Sequence, residues 1–297
     1  MIRTLFAALA ASLLAFGAGA AQTPDGSASA LRAKHESLQS RLRDNAFGKP
    51  LHLESTESSG ALSGDVYAMV ATPFAQAAAA LAQPEGWCEI LMLQFNVKAC
   101  LASPKAEATV LDVRITRRNE QTAAQGYKVA FDYRVVSRAP DYVQFRLDAA
   151  QGPVGTRNYQ IMLEAAPLAD GRTFVHLFYT YAYGGAGKIA MQAYLSGSGK
   201  DKVGFTPVAG GQGLVGGMRG VIERNTMRYY LAIESFLGAL GTAPPARFEQ
   251  AAGTWIAGTE RYKRQLYEMD RAEYLAMKRR EYQAQSSAQP QAQAAQR

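Results

Sequence analysis

Residues 110–117 read VLDVRITR and residues 129–135 read VAFDYRV. In the first, Leu111, Val113 and Ile115 share one face, and Asp112, Arg114 and Thr116 the other. The second sets Val129, Phe131, Tyr133 and Val135 against Ala130, Asp132 and Arg134. Side chains alternate sides along a strand, so a period of two marks antiparallel strands, apolar on one face and wet on the other. Val143, Phe145 and Leu147 continue the pattern against Gln144, Arg146 and Asp148. The wet-face charges alternate in sign, which predicts opposite-charge pairs across strands. Two further strands are expected at 159–164 and 173–183, split by the turn Ala169-Asp170-Gly171. The last places Val175, Leu177, Tyr179, Tyr181 and Tyr183 on one face and Phe174, His176 and Phe178 on the other. Both faces are apolar, so both are expected to be covered.

Upstream, Val66, Ala68 and Val70 begin a strand that stops at Thr72-Pro73. Residues 74–81 are alanine-rich and read as helix. Pro84-Glu85-Gly86 breaks it, and 93–101 reads as extended. Downstream, a short helix is expected at 188–195, extended chain at 202–208 and a glycine-rich loop at 210–217. Residues 218–240 form a long helix with Ile222, Thr226, Tyr229, Ile233, Phe236 and Leu240 on one stripe. Gly241 and Pro244-Pro245 end it. A second helix is expected from 246 to about 282, with Phe248, Trp255, Tyr262, Leu266 and Met269 as its seam. It is the candidate cover for the outer face of strand 173–183.

The chain begins MIRTLFAALAASLLAFGAGAA. Arg3, the apolar run from Leu5 to Phe16 and the small residues Ala18-Gly19-Ala20 read as a signal peptide over 1–21, cleaved after Ala20 or Ala21. No second segment reads as a membrane span, so a periplasmic or secreted protein is expected. Lys plus Arg is 32 and Asp plus Glu 25, a net charge of +7. Export makes nucleic acid an unexpected partner for that basic excess. The basic stretch 261–280 is diluted by Glu260, Glu268, Asp270 and Glu273; peripheral contact with membrane or an envelope protein is the reading it permits. Cys88 and Cys100 lie 12 positions apart, and an oxidising compartment permits a disulfide between them. The polar stretch 22–55 is expected to be a loosely docked arm, and 284–297, rich in Gln, Ala and Ser, an unstructured tail.

Motifs for chemistry are sparse. Residues 211–216 match GxGxxG, but antiparallel strands precede them, whereas a dinucleotide site needs a parallel unit. His176 between Phe174 and Phe178 is the candidate general base for a cofactor-free cyclase- or hydrolase-like enzyme. No Gly-x-Ser-x-Gly or His-Glu-x-x-His occurs. No catalytic residue, metal ligand or cofactor is assigned.

The segment Gly64-Asp65-Val66-Tyr67-Ala68-Met69-Val70-Ala71-Thr72-Pro73-Phe74, the break at 81–87 and the helix 223–240 resemble the START-like helix-grip superfamily, also called SRPBCC or Bet v 1-like. The resemblance implies an α+β fold over 56–241, a curved antiparallel sheet wrapped around a long C-terminal helix; the chain departs from it in the material at 184–217 and in an extra helical segment at 242–283. It also implies a cavity for an apolar or lipid-like small molecule. Tyr179, Tyr181, Tyr183, Asn225, Thr226, Tyr229, Ile233 and Arg157 are the expected ligand-binding residues. The alternatives are a cofactor-free enzyme using His176, unless that histidine is structural, or a cavity tyrosine, and a structural envelope protein that holds a partner through the 246–282 helix.

Overall fold

The computed structural model describes residues 26–105, 108–197 and 199–294. The signal-peptide reading lies outside them. In chain order come α1 (Ala28–Ser37), α2 (Gln39–Arg43), β1 (Leu51–Ser58), β2 (Ala61–Val70), α3 (Phe74–Leu81), α4 (Pro84–Met92), β3 (Val97–Lys105), β4 (Ala108–Ile115), β5 (Tyr127–Ala139), β6 (Tyr142–Gln151), β7 (Thr156–Pro167), β8 (Thr173–Tyr183), α5 (Gly185–Ser196), α6 (Gly217–Gly238), α7 (Ala246–Arg261), α8 (Lys263–Leu266) and α9 (Arg271–Ala294). The eight strands form one antiparallel sheet in the order β1-β2-β8-β7-β6-β5-β4-β3. Helix α6 packs on the face lined by Leu62, Val66, Val175, Leu177 and Tyr179, and α7 packs on the other side of α6. This is the helix-grip arrangement expected from the sequence. No described helix is long and apolar enough to cross a membrane.

Three features depart from the sequence reading. Residues 51–58 belong to the sheet: Leu51 and Leu53 are buried, while the polar second half of β1 lies at the exposed edge. Only two apolar positions mark that strand. The outer face of β8 is covered by the N-terminal arm rather than by the C-terminal helices. Leu31, Leu38 and Leu42 dock on Tyr67, Tyr142, Ala166 and Phe174. Burying a leucine contributes about 1.5–3 kcal/mol, so three anchor a short arm firmly. The expected single helix at 246–282 is broken into α7, α8 and α9, and helix continues from 284 to Ala294, where alanine and glutamine favour it. Gln285 ties that stretch down, its Oε1 accepting from the Cys100 amide at 2.7 Å.

The charge pattern on the wet face resolves differently from the expectation. Register sets Asp132 opposite Asp148 and Arg134 opposite Arg146. The ion pairs instead run along a strand, Arg146 Nε to Asp148 at 2.8 Å, or diagonally, Lys128 to Asp112 at 3.1 Å.

Two fastenings hold the periphery. Cys88 on α4 and Cys100 on β3 are bonded, with Cα atoms 5.2 Å apart. Closing a loop of this length in the unfolded chain stabilises the fold by about 3 kcal/mol. Replacing both cysteines with alanine is expected to lower the unfolding free energy by that order in a denaturant titration; an unchanged midpoint contradicts it.

The second fastening seats α9 on β3. Lys98 Nζ donates to Glu281 Oε1 at 2.7 Å and Lys278 Nζ to Glu281 Oε2 at 2.8 Å. Both ammonium groups are buried, and burial pushes that of Lys278 down to about 8. One carboxylate therefore serves two desolvated cations. Glu281→Gln is expected to cost about 3–5 kcal/mol, because it leaves buried charges uncompensated. Lys278→Met keeps a one-to-one pair and is expected to stay within about 1 kcal/mol of wild type. Thermal melts of both variants check this; equal losses contradict it.

Candidate functional site

Helix α6 is buried on nearly every side, so its polar side chains must be satisfied inside the protein. Glu223 shows how. Its Oε1 accepts from Ser55 Oγ at 2.5 Å, and its Oε2 accepts from the backbone amides of Phe205 and Thr206 at 2.5 and 2.9 Å. One carboxylate thus fastens the loop before α6, which includes the glycine-rich segment, to helix and sheet. Within that loop Pro207 and Leu214 pair as an antiparallel bridge, so residues 211–216 are not the turn of a parallel dinucleotide unit.

Beside α6 lies a cavity of 380 Å³. Phe95, Tyr159, Tyr179, Tyr181 and Tyr229 line it, with Asn225 and Arg228 from α6, Met191 and Tyr194 from α5, Pro153 and Val154 from the β6–β7 turn, and Glu268. Its tyrosines form one cluster. Tyr159 stacks on Tyr181 with centroids 5.1 Å apart, and Tyr179 lies 4.9 Å from Tyr229. Period two on β8 places Tyr179 and Tyr181 on the inner face, and β7 brings Tyr159 beside them. Burial pushes the hydroxyls of Tyr159, Tyr179, Tyr181 and Tyr229 above the usual tyrosine range, so they stay neutral donors. The Tyr181 hydroxyl is buried and has no hydrogen-bond partner. A wider groove of 900 Å³ between 119–123 and α9 is lined by Glu120, Asp270, Glu273 and Glu281.

Of the expected ligand-binding residues, Tyr179, Tyr181, Asn225 and Tyr229 line this cavity. Tyr183 lies one strand position beyond the cavity, in a separate groove beside α5. Thr226 packs on Gly64, where an added Cβ would lie 2.3 Å from its Oγ1, and donates to the Ile222 carbonyl at 2.8 Å. That seam brings α6 onto β2 and is closed to a ligand. Ile233 is buried in the core. Arg157 is exposed at the start of β7. Arg228, Tyr194 and Glu268 line the cavity although the sequence reading did not select them. Arg224 and Arg228, four apart and flanking Asn225 and Tyr229 on one helix, were the legible signal. Glu268 and α5 become neighbours only through tertiary packing.

His176 sits on the opposite face of the sheet. Its Nδ1 is 2.7 Å from Glu164 Oε1 and its Nε2 is 2.8 Å from Asp65 Oδ1. The Tyr67 ring stacks on it at 4.2 Å, and the Tyr142 hydroxyl donates to Glu164 at 2.6 Å. The α1 arm covers this patch, with His35 edge-on to Phe174 at 4.8 Å. The histidine is therefore turned away from the cavity, which removes the motive for His176 as a base acting there. The apolar seam at Phe248, Trp255, Tyr262, Leu266 and Met269 is likewise buried in the protein's own core, so it offers no free surface to a partner.

No protein-family model matches the chain. No curated protein matches it either. Among solved structures, a conserved protein from Geobacillus kaustophilus is similar at 15% identity, covering 59% of this chain and 95% of its own, with a TM-score of 0.35. Truncated norcoclaurine synthase from Thalictrum flavum is similar at 12% identity, over 48% of this chain and 90% of its own, with a TM-score of 0.33. Ara h 8.0201 is similar at 11% identity, over 61% of this chain and 99% of its own, with a TM-score of 0.35. At these scores the neighbours add nothing to the fold assignment, which stands on strand order and the seat of α6.

Burial lowers the proton affinity of His176, while its hydrogen bonds to Asp65 and Glu164 raise it, and the net shift is upward. A raised folded value means stability fully present below about 6.5 and lost as pH rises through the folded value. Wild-type Tm is expected to fall across that window, and His176→Gln to remove that component of the slope. Identical slopes for the two proteins contradict this.

Proposed function

We propose that this is a small-molecule binding protein that holds an apolar ligand in the tyrosine-lined cavity beside α6. The observation that carries the reading is a 380 Å³ cavity whose aromatic and aliphatic wall, five tyrosines with Phe95, Ile115 and Met191, is interspersed with polar side chains that can orient a ligand, Asn225, Arg228 and Glu268 among them. Binding pockets span about 300–1,000 Å³, and this volume suits a compact ring system or short chain better than a long lipid. The ligand class is apolar or lipid-like in this sense, and no cofactor is invoked. Export is part of the same proposal. The segment 1–21 and the Cys88–Cys100 bond both favour an oxidising, extracytoplasmic compartment.

The neutral fluorophore N-phenyl-1-naphthylamine tests the reading. Wild-type protein is expected to take it up saturably, one molecule per chain, with enhanced emission. Ala190 on α5 lines the cavity, so Ala190→Trp is expected to fill it and weaken uptake at least tenfold with the melting curve preserved. Absence of uptake by the wild type, or equal uptake by the variant, contradicts it.

A further inference from the structure

Two unpartnered polar atoms belong to side chains of the cavity wall, the hydroxyl of Tyr181 and Nε of Arg228. Leaving a buried donor unmade costs about 1–3 kcal/mol, more when the group is charged. Arg228 does have one carboxylate neighbour, donating through Nη2 to Glu268 Oε1. The same Glu268 oxygen also lies 2.6 Å from Lys202 Nζ. One turn earlier on α6 stands Arg224, with 1% of its surface exposed. Among the described residues it forms no ion pair. Its contacts are two long hydrogen bonds of 3.4 Å, to the Val203 carbonyl and to the hydroxyl of Tyr194, itself a cavity residue. Glu223, next in sequence, is taken by Ser55 and the amides of 205 and 206. Arg228 and Lys202 thus share the carboxylate of Glu268, and Arg224 has no carboxylate of its own among the described residues. Burial disfavours the charge on Arg224, and the Arg228 charge opposes it further. A desolvated excess of positive charge beside a cavity is stable when an anion completes it.

We propose that the ligand is an organic acid, its apolar body against the tyrosine cluster and its carboxylate received by Arg228 Nε and the Tyr181 hydroxyl, with Arg224 behind Tyr194 supplying the second positive charge. This rests on the reading of the cavity as an apolar binding site and specifies the ligand's polar end. A guanidinium presents planar paired donors that suit a carboxylate, and a charge-assisted bond in a dry site is stronger than a neutral one.

Calorimetry on the purified chain, with naphthalene-2-carboxylate and the neutral naphthalen-2-ylmethanol as paired probes, tests it. Wild type is expected to bind the carboxylate at least tenfold more tightly than the alcohol, and the preference needs no variant to be read. Tyr181→Phe is expected to weaken the carboxylate several-fold and Arg228→Gln at least tenfold, so that the ratio of carboxylate to alcohol affinity falls toward one. Arg224→Gln is expected to follow Arg228→Gln. Equal affinity for the two probes overturns the acid assignment and leaves the apolar site standing. A carboxylate preference that survives both arginine replacements overturns the assigned residues. Failure of both probes to bind overturns the cavity reading and this proposal together.

Discussion

The seat of α6 is the constraint on which the rest depends. The helix lies between the inner face of the sheet and α7, and its residues from Gly220 to Leu237 are almost all withdrawn from water. A surface helix buries one stripe and solvates the rest. Here the sequence MRGVIERNTMRYY carries Glu223, Arg224, Thr226 and Arg228 into the same enclosure as Ile222 and Met227. Each polar group must therefore be met by protein or ligand. Glu223 is met by the loop it fastens and Thr226 by its own helix. The two arginines are met only in part. The site exists because the helix is enclosed on both sides.

The two faces of β8 show the division of labour in the sheet. Its inner positions give the tyrosines to the cavity, and its outer positions give Phe174 and His176 to the patch beneath α1. In that outer patch His176 is held on both sides by Asp65 and Glu164, with Tyr142 donating to Glu164 and Tyr67 stacked on the ring, while the buried Nε2 of the neighbouring Gln144 has no partner.

Much of this was legible in the residues. Period two at Leu111–Val113 and Val129–Phe131–Tyr133 placed the strands, although Val135, expected on the same inner face, is exposed where the register of β5 shifts, and the stripe Ile222–Tyr229–Ile233 placed α6. Alternation put Tyr179 and Tyr181 inward. What pattern does not carry is which element covers which face. The doubly apolar β8 required a cover, and the polar-looking arm supplied it through Leu31, Leu38 and Leu42, whose helical spacing marks an apolar stripe without saying what it packs against. Glu268 and Tyr194 reach the cavity from segments with no local signal for it. Lys278 reads as the start of a basic run, yet Glu281 and the edge of β3 bury it. Charge in sequence is not exposure in the fold.

The most direct test is a crystal structure of the chain grown with naphthalene-2-carboxylate. The account predicts density for the compound between β8 and α6, its rings against Tyr159, Tyr181 and Tyr229 and its carboxylate toward Arg228. A cavity closed by Tyr179 and Tyr229, with the compound absent or bound elsewhere, would contradict it.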